Sequence, residues 1–169
     1  MRNIEKDAAE MAERRDAILK AGFLLFAEKN IEPVSMNEVA KAAGVGIATL
    51  YRYYGAKSEL VIAVGTRVWD DYIKEQTRKF DETETEKTTA AEEFGFYLES
   101  FLDLYRNHRS ILRFNQFFNI YLQSEKKSGI QTSFYMEMVG ALEDRFPFHC
   151  FSVFWLYFCK RSKQGFINR

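Results

Sequence analysis

The stretch from Ser35 to Tyr54 constrains this chain more than any other. It has room for two small helices and a turn, and each part carries its own signal. Ser35 and Glu38 have capping-box spacing, so hydroxyl and carboxylate can satisfy two backbone N–H groups that a helix start leaves without partners. Val39, Ala40 and Ala43 then share one face, and the alanines are small enough to admit a second helix. Gly44 sits where the chain must turn, a place where a residue without Cβ takes positive φ at little cost. Val45 is positioned to plug the angle between the helices. A second run, Ile47 to Tyr53, turns Leu50 inward and puts Gly46, Ile47, Ala48 and Thr49 at its leading end. Two short helices joined by a glycine-containing turn form a helix-turn-helix, the arrangement that sets its second helix into a DNA major groove. An ordinary alanine-rich hairpin in an all-α core satisfies the same spacing.

The pattern extends on both sides. Ile18, Ala21, Leu25, Phe26 and Ala27 precede Val39-Ala40, Ala43-Gly44-Val45 and Thr49-Leu50-Tyr51, and the series closes with Tyr53-Tyr54, Lys57, Glu59 and Leu60. In order and spacing these residues resemble the N-terminal domain of the tetracycline-repressor (TetR) family of bacterial regulators, over about a quarter of the chain. The resemblance implies a ligand-responsive transcriptional regulator, a repressor in the first instance. Such a protein binds a pseudo-palindromic double-stranded operator as a homodimer, is released by a small hydrophobic or amphipathic effector, and works in the cytoplasm. It also implies that Ser35 and the 46–52 segment lie at the duplex. Thr49 is then the one side chain of the leading tip able to hydrogen-bond a base edge, while Ile47 and Ala48 suit thymine methyls. Tyr51, Arg52, Tyr54 and Lys57 fit phosphate contacts. Many relatives carry a polar or basic residue where this chain has Gly46 or Ile47, so base readout here is chemically thin.

Only Pro33 and Pro147 interrupt long helix-compatible stretches, and alternation of the β type is scarce, so the fold class is all-α. One amphipathic helix is expected over about 7–30, with Met11, Ile18, Ala21, Leu25 and Phe26 on its apolar side. The helix-turn-helix elements follow at 36–43 and 47–53. Gly55-Ala56 ends the head, residues 1–56, and Lys57 opens a linking helix to Phe80. Residues 81–93 contain no large apolar side chain, and a loop over 81–89 leads into further helices at 90–107, 109–123 and 131–146. Residues 57–169 thus read as a helical effector-binding and dimerisation domain joined to a three-helix head.

The second half is dense in rings, 16 of the 169 residues of the chain being Phe. Phe94, Tyr97, Phe101, Leu104 and Tyr105 are expected along one side of one helix, and Phe114, Phe117, Phe118 and Tyr121 along the next. Phe134, Met138 and Leu142 follow on the third. Rings and flexible Met side chains on three helices either fill a core or enclose an apolar cavity. The resemblance implies the cavity; Tyr97, Phe101, Phe117, Tyr121 and Met138 are the candidates for its wall, and Asn115, Gln116 and Asn119 supply polar anchoring if they face inward.

Net charge is zero, so no global basic signature points to nucleic acid. The distribution is uneven: residues 41–57 hold Lys41, Arg52 and Lys57 without an acid, whereas residues 58–100 hold eleven acids against five bases. A basic tip beside an acidic body favours one docking orientation. Met1 to Ala12 reads without an export signal, and Cys150 and Cys159 suit free thiols in a reducing compartment. The near-apolar run Phe146 to Cys159 is 14 residues long, short of the roughly 20 that span a bilayer. It reads as a shortened dimerisation helix, with a lid over the cavity or an abnormally associating truncation as the other options.

An enzyme is not expected. His108 and His149 are far apart, no metal-ligand spacing, phosphate-binding glycine loop or nucleophile elbow occurs, and no cofactor is implied. The competing functional reading is a hydrophobic-ligand or dimerisation module whose DNA head is degenerate and weakly specific. A third is a DNA-binding protein whose second half only dimerises.

Overall fold

The structure, a computed structural model, describes residues 4–83 and 89–126, with the side chain of Tyr97 among the few in those segments left undescribed. Every regular element among them is an α-helix: α1 (Ile4–Lys29), α2 (Met36–Ala42), α3 (Ile47–Tyr53), α4 (Lys57–Thr83), α5 (Ala90–Asn107) and α6 (Arg109–Lys126). The chain divides into two compact units, Met1–Phe118 and Asn119–Arg169. The expected helix over 131–146, Met138, both cysteines and the aromatic run from Phe146 lie outside the described residues.

In the first unit α1 packs on α2 and α4, and α2 packs on α3. Ile18, Phe26, Val39, Leu50, Leu60 and Val64 are fully or almost fully buried, each contributing about 1.5–3 kcal/mol by leaving water. Gly22 lets the helices come close, because a Cβ there would stand 3.0 Å from Val64 Cγ2. Asn30 stops α1 by taking φ +76°, a left-handed conformation that asparagine tolerates, while its Oδ1 accepts from Ile31 N at 2.6 Å.

A second glycine, Gly65 on α4, faces the ring of Phe118 on α6, and a Cβ would meet Phe118 Cζ at 2.9 Å. Phe118 stacks on Phe114 with centroids 5.5 Å apart, and Phe114 meets Phe23 of α1 edge to face at 5.7 Å. Rings therefore run without a break from α6 to the first helix. Tyr72 of α4 holds α5 by donating its hydroxyl to Ser100 O at 2.7 Å, and burial, with Asp103 nearby, pushes its phenol far above the ordinary range.

Three expectations need correction. The linking helix runs three residues past Phe80, to Thr83, because polar residues without a helix breaker continue it. Met11 is half exposed, since the N-terminal turns of α1 project past the core of the head. Phe94 and Tyr105 do not line the inner side of α5: they are 58% and 67% exposed. That helix is apolar on two sides, and its inner side is instead built from Phe96, against Phe80 at 5.0 Å, Ser100 and Leu104.

Candidate nucleic-acid interface

The helix-turn-helix forms from its own local chemistry. Ser35 is extended at φ −88° and ψ 156°, and its Oγ accepts from Glu38 N at 3.2 Å while Ser35 N donates to Glu38 Oε2 at 2.8 Å. The capping box is thus complete. The Ser35 hydroxyl also donates to Glu38 Oε2 at 3.0 Å, so the cap takes up both donors of this residue. Lys29 Nζ lies 3.5 Å from the other carboxylate oxygen, tying the end of α1 to the start of α2. Donation from the Ser35 backbone, then from its hydroxyl, holds the Glu38 carboxyl below its ordinary 4.5.

At the other end of α2, Gly44 takes φ +68°. Val45 N donates to Ala40 O at 3.0 Å and Gly44 N to Lys41 O at 3.2 Å. These two bonds around a left-handed glycine make a Schellman closure, which satisfies carbonyls the helix end would leave without donors. The bend delivers Gly46 as the N-cap of α3, where its carbonyl accepts from Thr49 N at 2.9 Å and Leu50 N at 3.1 Å.

Burial then sorts α3 into two sides. Leu50 is fully buried, whereas Ile47 and Tyr51 are 38% and 50% exposed, Gly46, Ala48 and Arg52 are exposed, and Thr49 is half-buried. The structure thus gathers Gly46, Ile47, Ala48, Thr49, Tyr51 and Arg52 on one short element. Ser35 is exposed at the start of α2, with Lys41 exposed near its end. Tyr54 stands apart from them: it is 6% exposed, and burial pushes its phenol above the usual value, with Arg15 opposing the shift. Lys57 Nζ donates to Glu32 O at 2.8 Å, joining the loop after α1 to the start of α4.

Sequence reading overlooked two neighbours on α1. The guanidinium groups of Arg15 and Arg52 each lie 5.8 Å from the centroid of the Tyr53 ring, a cation–π arrangement that lends positive charge to the α3 side of the head. Arg14, paired with Glu10 at 3.0 Å, lines an open groove of about 420 Å³ with Glu13, Ala17, Gly44, Val45 and Thr49. The adjacent arginines at 14 and 15 were visible in the sequence, but periodicity assigned them only to a solvated face.

For the second half, Phe101 and Phe117 are half-buried and Tyr121 is buried. Asn115 and Asn119 are 2% and 9% exposed, while Gln116 is exposed and does not face inward. Asn115 Oδ1 accepts no hydrogen bond among the described residues. No helix among the described residues is long and apolar enough to cross a membrane.

Residues 18–64 match the family described as bacterial regulatory proteins, tetR family. An HTH-type transcriptional regulator of Staphylococcus aureus (strain MRSA252) is 29% identical over 143 residues, which take in 85% of this chain and 71% of that protein. Another HTH-type transcriptional regulator, from S. aureus strain USA300, is 40% identical over 70 residues; the match spans 41% of this chain and 36% of the relative. Among solved structures, a transcriptional regulator of Streptomyces coelicolor A3(2) superposes with a TM-score of 0.59 at 21% identity, covering 79% of this chain and 70% of the other. A tetR family transcription regulator from Shewanella sp. PV-4 gives 0.51 at 13% identity over 89% of each chain. At these identities the two structures bear on fold alone, and both are consistent with a helix-turn-helix head followed by further helices.

Proposed function

Because this chain belongs, through residues 18–64, to the tetR family of bacterial regulatory proteins, we propose that it is an effector-responsive repressor that grips its operator as a homodimer. The relatives named above are regulators of transcription, and this chain is a DNA-binding regulator, not an enzyme. The observation that carries the finer reading is the split character of α3: Leu50 anchors it in the core while Ile47, Ala48, Tyr51 and Arg52 stay exposed. In the major groove, Ile47, Ala48 and the Thr49 methyl contact thymine methyls and the Thr49 hydroxyl reaches a base edge. Arg52, Tyr51 and Lys57 meet phosphates and fix register. Ser35 acts through the cap that orients α2, and Tyr54 through packing that supports α3. The setting is the bacterial cytoplasm.

The head, residues 1–56, reads DNA, and residues 57–169 receive the effector and pair the subunits. Phe101 and Phe117 line the effector site in this reading. Asn115 supports it: a buried carbonyl oxygen without a donor costs about 1–3 kcal/mol, and a ligand bearing an O–H or N–H beside its apolar body removes that cost. Effector binding shifts α6, the Phe118 ring presses on Gly65, and α4 tilts the head. Two heads no longer set about 34 Å apart lose the joint grip on successive grooves.

Selection from a pool of random duplexes tests this. The reading expects enrichment of inverted repeats whose half-sites lie about one helical turn apart. The alternative, a ligand-binding or dimerisation module with a weakly specific head, draws on one observation: the leading tip, Gly46 to Ala48, offers no polar side chain. Salt-sensitive binding without enrichment favours that alternative and overturns specific operator recognition.

A further inference from the structure

One positive charge beside α3 comes from another helix and lacks a counter-charge. Arg15, exposed on α1, holds its guanidinium 5.8 Å from the centroid of the Tyr53 ring, and Arg52, exposed on α3, stands at the same distance from the same ring. Elsewhere on α1, Arg14 pairs with Glu10, Lys20 with Asp16 and Lys29 with Glu38. Asp16, next to Arg15 in sequence, is also taken by Arg67 of α4. Neither Arg15 nor Arg52 has an ion-pair partner among the described residues. Two like charges kept beside one ring repel each other in the free protein, and an anion set against them removes that repulsion.

Position says which anion. Tyr53 is the last residue of α3, at the far end from Gly46, so both guanidiniums lie beside the final turn of that helix. When the leading end of a recognition helix enters a major groove, groups that flank its other end meet the sugar-phosphate wall and not base edges. Stacking against a ring engages the flat face of a guanidinium and leaves the N–H donors at its rim, which match phosphate oxygens. The Tyr53 hydroxyl is buried without a hydrogen-bond partner among the described residues, so the ring acts here through its π surface. The charge of Arg15 also reaches the Tyr54 phenol and opposes its upward shift, so Arg15 stands against both tyrosines that end α3. A side chain held by two rings has less freedom to lose when it binds. We propose that Arg15 of α1 is a further DNA-contacting residue, donating to the backbone phosphate next to the one that Arg52 meets, with Tyr53 positioning both guanidiniums. This contact rests on the operator-binding reading above and comes from outside the helix-turn-helix.

A salt titration of the full chain on a labelled duplex of mixed sequence tests the contact, because a phosphate contact does not depend on sequence. Arg15→Gln is expected to reduce the slope of log affinity against log salt by about one, and Arg15→Gln with Arg52→Ala by about two. Arg15→Lys keeps the charge and keeps the slope. Lys20→Gln, an equal loss of charge elsewhere on α1, leaves the slope as it is. A role confined to packing on Tyr53 would show instead as a lower unfolding midpoint with an unchanged slope. Arginine footprinting with phenylglyoxal needs no variant: on the native chain, Arg15 is expected to become protected together with Arg52 when duplex is added. A slope lowered by Arg52→Ala but not by Arg15→Gln overturns the Arg15 contact and leaves the operator reading intact. Equal losses from Arg15→Gln and Lys20→Gln, or an Arg15 that stays reactive on the duplex, overturn it as well. A native chain that binds no duplex defeats both.

Discussion

Gly44 and Gly46 lie two residues apart in one turn and are held to glycine by different demands. Gly44 has open space around it but φ +68°, so an added Cβ strains the backbone at a cost of about 1–2 kcal/mol. Gly46 has φ −68° and a nearest side-chain atom at 3.9 Å, so a methyl group fits. Gly44→Ala is expected to lower the urea midpoint clearly, and Gly46→Ala to leave it within error; equal effects would contradict the Schellman closure. Acid supplies a second test. Backbone donors at Ser35 and Thr89 hold Glu38 and Glu92 below their ordinary 4.5. A carboxyl lowered in the folded state lends stability above its unfolded value, and that stability goes as pH falls through the folded value. Amide exchange at the first turns of α2 and α5 should therefore accelerate relative to the helix centres as pH falls below the ordinary 4.5. Glu38→Gln should flatten the response at α2; an unaltered response would remove the cap from the account. The capping box and the glycine turn were legible because both are local. That Lys57 serves Glu32 O, 25 residues earlier, and that Tyr54 is buried depend on tertiary proximity, which spacing does not report.

At the scale of elements, what matters is how closely helices approach and which side they present. Gly65 admits the Phe118 ring against α4, so Gly65→Ala forces that ring away at about 1–3 kcal/mol, the usual range for overpacking. Gly95, with open space, gives the opposite sign: Gly95→Ala should stabilise α5 by up to about 1 kcal/mol through helix propensity. Thermal unfolding of the two variants decides this, and a neutral Gly65→Ala would mean that α6 is not locked on α4 there. If the ring row from Phe118 through Phe114 to Phe23 also couples body to head, Gly65→Ala weakens duplex binding although it lies far from α3. The starts of α2 and α4 agree with the sequence because Ser35 and Lys57 mark them, whereas α1 begins at Ile4, three residues before the expected start, and the capping box of Thr89 and Glu92 at α5 was not read from the sequence. The sidedness of α5 was not legible either, since Phe94, Leu98 and Tyr105 have the same periodicity as a core stripe and only packing tells two apolar sides apart.

For the molecule as a whole, a net charge of zero conceals a division of labour. Residues 41–57 hold Lys41, Arg52 and Lys57 without an acid, and Arg15 joins Arg52 at the Tyr53 ring, while residues 58–100 hold eleven acids against five bases, so the field around α3 favours a polyanion. The central claim is that α3 enters a duplex and that its cations, not its apolar tip, supply most of the affinity. Fluorescence anisotropy of a labelled duplex over a range of salt concentrations measures that directly, for the native chain and for Arg52→Ala. Log affinity should fall linearly with log salt for the native chain, and Arg52→Ala should weaken binding to every sequence and reduce the slope by about one. A native chain that binds no duplex at low ionic strength, or a slope that Arg52→Ala leaves unchanged, would contradict the claim.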